Sequence, residues 1–146
     1  MTRIGALDVG ERRIGFAVAD PTGTIVSKTG AWEHGSDPEE ALRAIVEWVR
    51  DQEVGTLVVG HPLLLSGSAG EQARLVEEFA ESLKARLREA GLACQVVLWD
   101  ERLSTVIAQG YLREGEKRRR RREKGRVDAV AAGVILQSYL ERQEMG

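Results

Sequence analysis

IGALDVGERRIGFAVAD, residues 4–20, predicts two β-strands that are separated by a very short turn. The first apolar run spans 4–10, and a second run spans 13–20. A turn signal at 21–23 is followed by a third strand-like run at 24–32. Strands with links as short as these can pair only as an antiparallel meander. The first three strands are therefore expected to be antiparallel neighbours in one sheet.

Helix and strand patterns alternate through the middle of the chain. Asp37 stands before a proline and predicts the N-cap of a first helix, and Gly91 is a typical stop for a second. Strands are predicted at 56–60 and 94–99, each of them after a helix. Since a helical crossover joins parallel strands, strands one, four and five should be parallel. The sequence predicts a single α/β domain over residues 1–146, in which helices flank a five-stranded mixed sheet.

Composition excludes several classes of protein. The chain has 146 residues, of which 42% are apolar and 30% are charged, and this fits one folded domain rather than a disordered chain. No apolar run approaches the ~20 residues that a membrane-spanning helix needs, so no membrane partner is expected. The single cysteine, Cys94, excludes an internal disulfide and a thiolate-based zinc site, and it favours a cytoplasmic location.

A strongly basic segment lies near the C-terminus. From Arg113 to Arg126, nine basic residues and three acids give a local net charge of +6, which leaves −8 on the rest of the chain. Such a block repels itself, so a mobile loop is expected around 114–126, between a short helix that ends near Leu112 and a final helix. A solubility loop is the simplest interpretation. The separation of the two signs of charge instead favours a binding site for nucleic acid.

Three acids lie at positions that require an explanation. Asp8 interrupts an apolar strand, Glu101 follows the fifth strand, and Asp128 lies at the entrance to the final helix. A charge in a buried strand is costly unless it is paired or binds a metal ion. Parallel strands one and five end at the same edge of the sheet, where open sheets place their sites. If the last helix crosses this edge, the three carboxylates converge there.

Each acid also has a simpler structural interpretation. Arg102 could pair with Glu101, and the dipole of the final helix favours an acid such as Asp128 near its N-terminus. Asp8 could be neutralised by an arginine that is close to it in the sequence, namely Arg3, Arg12 or Arg13.

Convergence of the three acids would create a site for divalent cations. Carboxylates that lie close together repel each other and raise each other's pKa, and a bound cation removes this repulsion. Oxygen ligands without His or Cys favour Mg²⁺ or Mn²⁺. Two such ions can activate a water molecule and stabilise the leaving oxygen in phosphodiester cleavage. The basic segment would then hold the nucleic-acid backbone beside the ions.

Four segments that follow one another along nearly the whole chain resemble the YqgF family, also called RuvX. They are LDVGERRIGFAVAD, VVGHPLLLSGSAGEQA, WDERLST and RVDAVAAGVILQSYL. The resemblance implies a ribonuclease H-like fold that is related to the RuvC-type Holliday junction resolvases. It implies a nuclease that processes the 5′ end of pre-16S rRNA in ribosome biogenesis, or alternatively a Holliday junction resolvase of DNA recombination and repair.

The resemblance also implies which residues form the site. Asp8, Glu101 and Asp128 correspond to the family's catalytic, metal-binding acids. Asp100 belongs to the same motif as Glu101 and is expected either to support these acids or to bind a metal ion itself. The middle motif departs from the family pattern, because Leu64 and Ser66 stand where family members often have Asn and Asp. Basic residues of the same motifs and of the basic segment are expected to bind nucleic acid: Arg12, Arg13, Arg102, Arg118, Arg119, Arg120, Arg121, Arg122, Lys124 and Arg126.

Several residues have competing interpretations. His61, after the fourth strand, is better explained as a loop residue that bonds to the backbone than as a proton carrier. The tryptophans Trp32, Trp48 and Trp99 are spread along the chain and are expected to pack in the core or at its edge. Gly60 and Gly67 are interpreted as residues that shape the backbone.

Two other functions are compatible with parts of the sequence. An actin-like ATP-binding protein shares the early acid and glycine-containing hairpin, but it needs two lobes and this chain supplies one. A non-catalytic nucleic-acid-binding protein would use the basic segment equally well, yet it would gain nothing from three converging acids. A monomer or a twofold homodimer fits the predicted nuclease, and symmetric junction cleavage would require the dimer.

Overall fold

The computed structural model describes residues 2–35, 37–64, 66–102 and 124–145, and in the last helix it describes the side chains of 130–143. The described residues form five strands and three helices. The strands are β1 (Arg3–Val9), β2 (Arg13–Ala19), β3 (Val26–Glu33), β4 (Val54–His61) and β5 (Gln95–Asp100). The helices are α1 (Pro38–Gln52), α2 (Glu71–Glu89) and α3 (Lys124–Met145).

All five strands form one sheet with the order β3-β2-β1-β4-β5. β2 is antiparallel to both β1 and β3, as the short links between these strands predict. β4 is parallel to both β1 and β5, because each connection crosses over through a helix. The predicted mixed sheet is confirmed, and the carboxyl ends of β1, β4 and β5 lie at one edge.

The two faces of the sheet pack against different helices. Side chains alternate between the faces along a strand. In β1, Leu7 belongs to the core beneath α1 and α2, whereas Ala6 belongs to the core beneath α3. β4 repeats this alternation, with Val59 on the α1/α2 face and Val58 on the α3 face. Asp8 follows Leu7 and therefore lies on the face that α3 covers.

Capping residues explain two of the helix ends. Asp37 is the N-cap of α1, and its Oδ1 accepts a hydrogen bond from the backbone N–H of Glu39 at 3.0 Å. Pro38 follows at the first helical position, where its missing N–H costs nothing. After α2, Gly91 adopts a φ of +73°, which only glycine reaches without strain. Both ends agree with the sequence prediction.

The basic segment differs from its prediction at one boundary. Residues 124–126 belong to α3, not to the loop that was expected at 114–126. Lys124 and Arg126 are good helix formers, and the single glycine between them costs at most about 1 kcal/mol, so basic residues by themselves do not end a helix. The rest of that segment and the short helix expected before Leu112 lie outside the described residues.

The described helices pack on the two faces of the sheet. Among them, none is both long enough and apolar enough to cross a membrane.

Candidate active site

The carboxyl groups of Asp8 and Glu101 form a hydrogen bond with each other at the carboxyl-terminal edge of the sheet. Asp8 is near the end of β1, and Glu101 directly follows β5. Only β4 lies between these two strands. The sheet therefore brings together two of the three acids that the sequence singles out.

The environment of Glu101 favours its protonated form. Burial raises the pKa of Glu101 to about 8, and the negative charge of Asp8, the hydrogen bond with Asp8 and the negative charge of Asp100 act in the same direction. Near neutral pH, the Glu101 carboxyl is mostly protonated and can donate its O–H to the Asp8 carboxylate. When that proton leaves, both groups offer oxygen atoms to a cation.

Gly60 of β4 provides the space that the Glu101 carboxyl occupies. A Cβ atom at position 60 would lie 2.5 Å from Glu101 Oε1 and 2.7 Å from Ile135 Cδ1 of α3. The role predicted for Gly60 was to shape the backbone, but its φ is not in the left-handed region that favours glycine. It instead removes a side chain from the point where β4, α3 and Glu101 meet. A glycine inside a strand is a known sign of such a close approach.

Asp128, the third predicted acid, is the fifth residue of α3. Its side chain lies outside the part of the chain whose side chains are described. Within the described residues, no group of three His, Cys, Asp or Glu side chains is arranged to hold a metal ion. The participation of Asp128 in the site stays a prediction.

Asp100 makes a local ion pair with Arg102. Nε of Arg102 donates to Oδ1 of Asp100 at 3.0 Å, and Nη2 donates to Oδ2 at 2.6 Å. The hydrogen bonds from Arg102 hold the pKa of Asp100 below its ordinary value, with a further contribution from the charges of Arg102 and His61. The simple interpretation in which Arg102 pairs with Glu101 is thus replaced by a pair of Arg102 with Asp100. Strand alternation directs the neighbouring acids 100 and 101 to opposite faces.

The basic residues predicted to bind nucleic acid have different surroundings. The guanidinium of Arg13 pairs with Glu33, with Nη2 and Oε1 2.7 Å apart. Arg12 is exposed in the turn between β1 and β2. The side chains of the following residues lie outside the described part of the chain: Arg118, Arg119, Arg120, Arg121, Arg122, Lys124 and Arg126.

His61 is the last residue of β4 and bonds to a helix. Its Nε2 lies 2.7 Å from Oε2 of Glu77 on α2, instead of bonding to the backbone as expected. It alternates with Gly60 along the strand, so its side chain lies on the α1/α2 face and Glu101 packs on the other. Sequence alone could not identify this partner, because it depends on how α2 packs against the sheet.

The tryptophans take part in packing, as predicted. Trp32 stacks on Phe16 with ring centroids 4.3 Å apart, and Trp48 completes this cluster. Trp99 packs against α3 and donates its Nε1–H to Ser138 Oγ at 3.1 Å.

Comparison with known proteins shows relatives that match almost the whole chain. A family model described as "RuvX: Holliday junction resolvase" matches residues 2–142. A Thermus thermophilus protein named "Putative pre-16S rRNA nuclease" is 41% identical over 140 residues, which cover 96% of this chain and 98% of the relative. A protein of the same name from Chloroflexus aurantiacus is 41% identical over 137 residues, covering 93% and 84% of the two chains.

Two solved structures share the fold. RuvC of T. thermophilus, solved in complex with a Holliday junction substrate, superposes with a TM-score of 0.58 at 12% identity, over 100% of this chain and 97% of that chain. The yeast mitochondrial Holliday junction resolvase Ydc2 gives a TM-score of 0.59 at 11% identity, over 98% and 79%. The ribonuclease H-like fold that the sequence predicts is confirmed.

Proposed function

The chain belongs to the RuvX family, and from this premise we propose that it is a metal-dependent nuclease whose centre contains Asp8, Glu101 and Asp128. Its family and its nuclease-named relatives make it a hydrolase of phosphodiester bonds. Metal dependence, the ligand set and the substrate go beyond that class and are the proposed part.

The contact between Asp8 and Glu101 carries the proposal. Two acids that face each other in a partly buried site keep a shared proton at neutral pH. Such an arrangement opposes folding at neutral pH, because the Glu101 carboxyl keeps a proton in the folded protein that it loses in the unfolded chain. It becomes favourable when a divalent cation replaces the proton. This is the behaviour expected of metal ligands rather than of a structural ion pair.

Helical periodicity supports Asp128 as the third ligand. Ile135 of α3 reaches the space beside Gly60 and Glu101. Position 128 precedes Ile135 by seven residues, which is two helical turns, and so it lies on the same stripe of α3. A family resemblance in the VDAVAA segment independently selects the same residue.

The proposed ligands fit Mg²⁺ or Mn²⁺, because all of them are carboxylates. A pair of such ions, when bound, supplies an activated water and stabilises the leaving oxygen of a phosphodiester. Asp8 and Glu101 bind at the sheet edge, and Glu101 gives up its proton in doing so. Arg12 and Arg102 bind backbone phosphates of the nucleic acid at that same edge. Asp100 holds the Arg102 guanidinium in a fixed orientation for this task.

The proposed substrate is the precursor of 16S rRNA, which the enzyme trims at its 5′ end. The names of relatives that match this chain over almost its whole length support this choice. A four-way DNA junction is the second candidate, and the description of the family model supports it. Junction cleavage would require a twofold dimer, because two strands must be cut symmetrically.

Cleavage of matched substrates tests the proposal. Single-stranded RNA that carries a 16S 5′ leader, duplex RNA and a DNA four-way junction are each incubated with Mg²⁺, Mn²⁺ or EDTA. We expect metal-dependent cleavage of the leader RNA, and sedimentation with each substrate gives the oligomeric state. Preferential cleavage of the junction by a dimer would replace rRNA processing with junction resolution.

Asp8→Asn separates catalysis from folding and binding. The variant should fold and bind RNA but lose cleavage by several orders of magnitude, since it removes a ligand and leaves the fold intact. Cleavage at the wild-type rate would refute the assignment of Asp8. Manganese calorimetry that shows no binding to the wild-type acids would favour a non-catalytic nucleic-acid-binding protein.

A further inference from the structure

The β4–α2 loop, residues 62–70, joins the end of β4 to the start of α2 at the carboxyl-terminal edge of the sheet. Residue 65 of this loop lies outside the described residues. No residue of the loop is among the proposed metal ligands or phosphate contacts. The loop nevertheless lies directly against one of those contacts, the guanidinium of Arg102.

Gly67 is the loop residue that contacts Arg102. A Cβ atom at position 67 would lie 3.4 Å from Nη1 and 3.9 Å from Nη2 of Arg102. These are van der Waals contact distances, so the guanidinium occupies the space into which a longer side chain at position 67 would project. Gly67 also has a φ of +92°, which residues with a Cβ atom rarely adopt. Position 67 therefore favours glycine for two reasons, its backbone conformation and the guanidinium beside it.

Contacts within the loop hold Gly67 in place. The N–H of Gly67 donates to the carbonyl of Leu64 at 2.8 Å, and the N–H of Leu64 donates to the carbonyl of Ser68 at 3.0 Å. The hydroxyls of Ser66 and Ser68 share a hydrogen bond of 2.8 Å. The Leu64 side chain packs against Gly70, the N-cap of α2, where a Cβ atom would lie 3.4 Å from Leu64 Cδ2. The loop is thus a closed turn that is anchored to a long helix.

The start of the loop is connected to the acidic pair. The carbonyl oxygen of His61 accepts two hydrogen bonds, one from the Leu63 N–H at 2.9 Å and one from the Glu101 N–H at 3.0 Å. The first bond sets the direction in which the loop leaves β4, and the second holds the backbone of a proposed metal ligand. Arg102 directly follows Glu101 in the sequence. The loop is therefore connected at its start to the Glu101 backbone and at its tip to the Arg102 side chain.

Asp100 restrains the guanidinium of Arg102 from another direction. Its carboxylate accepts hydrogen bonds from Nε at 3.0 Å and from Nη2 at 2.6 Å. The Arg102 side chain is 37% exposed, and an ion pair with that much access to solvent does not by itself keep two side chains in one geometry. Contact of Nη1 and Nη2 with the Gly67 backbone restricts the motion that the ion pair leaves.

We propose that Gly67 is a positioning residue, through which the β4–α2 loop fixes the Arg102 guanidinium, and with it a bound phosphate, at a defined place relative to the acidic pair. The proposal rests on the nuclease function argued above, because that function supplies the phosphate. The phosphate bound by Arg102 and the bond that is cleaved belong to one nucleic-acid molecule. The placement of the guanidinium therefore contributes to the alignment of that bond with the acids.

A double-mutant cycle between positions 67 and 102 tests the proposal. RNA binding is measured over a range of KCl concentrations for Gly67→Ala, Arg102→Ala and the double variant, all in the Asp8→Asn background. Gly67→Ala alone should weaken binding by about two- to tenfold, because the guanidinium is no longer held in place. In the Arg102→Ala background, Gly67→Ala should have no further effect. An equal loss in both backgrounds, or no loss in either, would overturn the proposal.

Gly91→Ala is the matched control for backbone strain. Gly91 follows the other end of α2 with a φ of +73°, and among the described residues nothing lies within 4 Å of its Cβ position. The urea midpoint should fall in both glycine variants, since alanine is strained at a positive φ. Only Gly67→Ala should change RNA binding. A similar loss of binding in Gly91→Ala would attribute the effect to reduced stability and overturn the proposal.

Nuclear magnetic resonance of the Arg102 Nε–H group gives a measurement that needs no nucleic acid. Its signal is identified by its absence from the spectrum of Arg102→Ala. Gly67→Ala should shift this signal, and Gly91→Ala should leave it unchanged. Leu64→Ala is a second variant, which loosens the loop at Gly70 and keeps glycine at position 67, and it should shift the same signal. An unchanged signal in both loop variants would overturn the proposal.

The outcomes separate this proposal from the nuclease assignment. A cycle without coupling between positions 67 and 102, together with cleavage that depends on Asp8, would refute the positioning role and leave the nuclease intact. Coupling in the cycle, together with cleavage that does not need Asp8, would refute the nuclease site. It would leave Gly67 as a residue that positions Arg102 for nucleic-acid binding.

Discussion

The backbone N–H of Glu101 donates a hydrogen bond to the carbonyl oxygen of His61 at 3.0 Å. This bond joins the last residue of β4 to the residue that follows β5, so the pairing of the two strands extends one residue beyond the end of β5. It fixes the start of the turn after β5, so that the Glu101 side chain reaches across β4 toward Asp8. The position of the acidic pair is therefore a consequence of strand pairing, and changes in β4 should affect it.

Replacement of Gly60 by alanine should damage the site and the fold together. The added methyl group would lie 2.5 Å from Glu101 Oε1 and 2.7 Å from Ile135 Cδ1, so one of them must move. We expect a loss of about 1–3 kcal/mol of stability, as for other overpacked cores. Cleavage should fall on the order of 100-fold, because displacement of Glu101 would disturb the alignment of the proposed catalytic acids. Urea unfolding and single-turnover cleavage measure the two effects.

Gly133→Ala is the control for that experiment. Gly133 lies in α3, and among the described residues a Cβ atom there would meet only Thr29 Cγ2, at an ordinary contact distance of 3.5 Å. This variant should gain about 0.4–1 kcal/mol, since alanine restricts the unfolded chain and favours the helix. Equal changes in stability and in cleavage rate for Gly60→Ala and Gly133→Ala would show that crowding at Glu101 does not cause the effects of Gly60→Ala.

Metal-free protein should become less stable as the pH rises toward 8. The folded-state pKa of Glu101 is raised from 4.5 to about 8, so its contribution to stability is fully present below about pH 4.5 and is lost as the pH passes through 8. One proton gives a slope of at most about 1.4 kcal/mol per pH unit. Urea unfolding in EDTA between pH 5 and pH 9 measures this slope.

Glu101→Gln isolates the contribution of that residue. The difference in unfolding free energy between wild type and variant should change with pH over the same range. The contributions of all other titrating groups are the same in both proteins and cancel in this difference, so the change reports Glu101 alone. Added Mn²⁺ should flatten the wild-type curve, since a cation replaces the proton. A difference that is constant with pH would mean that Glu101 does not titrate as the structure indicates.

The sheet was predictable because its constraints are local. The three residues between β1 and β2 permit only antiparallel pairing, and helical crossovers permit only parallel pairing of β1, β4 and β5. These two rules are sufficient to bring the ends of β1 and β5 to one edge. Asp8 could be identified as a candidate site residue because its signal is also local: it is an acid within an apolar strand.

Features that depend on packing between distant elements were not predictable. The partner of His61 is on α2, and the space beside Gly60 is filled by Ile135 of α3 and by Glu101, which follows β5.

Both ring nitrogens of His34 are buried and have no hydrogen-bond partner among the described residues. The sequence contains no sign of this, because such burial depends on how distant elements pack. Which of the two neighbouring acids, Asp100 or Glu101, bonds to Asp8 likewise depends on the face of the sheet that each side chain occupies.

Arg102→Ala should weaken nucleic-acid binding and reduce its dependence on salt. Loss of one phosphate contact lowers the magnitude of the slope of log Kd against log salt by about 0.7–0.9. Arg50→Ala is the matched control, because Arg50 pairs with Glu47 on α1, within the same helix. Binding to RNA is measured with the Asp8→Asn variant over a range of KCl concentrations. An unchanged slope would remove Arg102 from the set of phosphate contacts.

His61→Ala should affect stability and leave the rate of cleavage nearly unchanged. The imidazole bonds to Glu77 on the α1/α2 face, whereas the acidic pair lies on the α3 face. The bond is partly exposed, since the Glu77 side chain is 40% accessible, and its loss should cost about 1 kcal/mol.

Lys84→Ala is the control variant. It removes an exposed ion pair with Glu81 on α2 and should cost about 0.5 kcal/mol of stability or less. Single-turnover rates of both variants should stay within about twofold of wild type, because a proton carrier must reach the reacting atoms. A tenfold or greater loss of rate in His61→Ala alone, at unchanged stability, would establish His61 as a proton carrier. The His61 side chain would then have to move from the α1/α2 face of the sheet to the α3 face during the reaction.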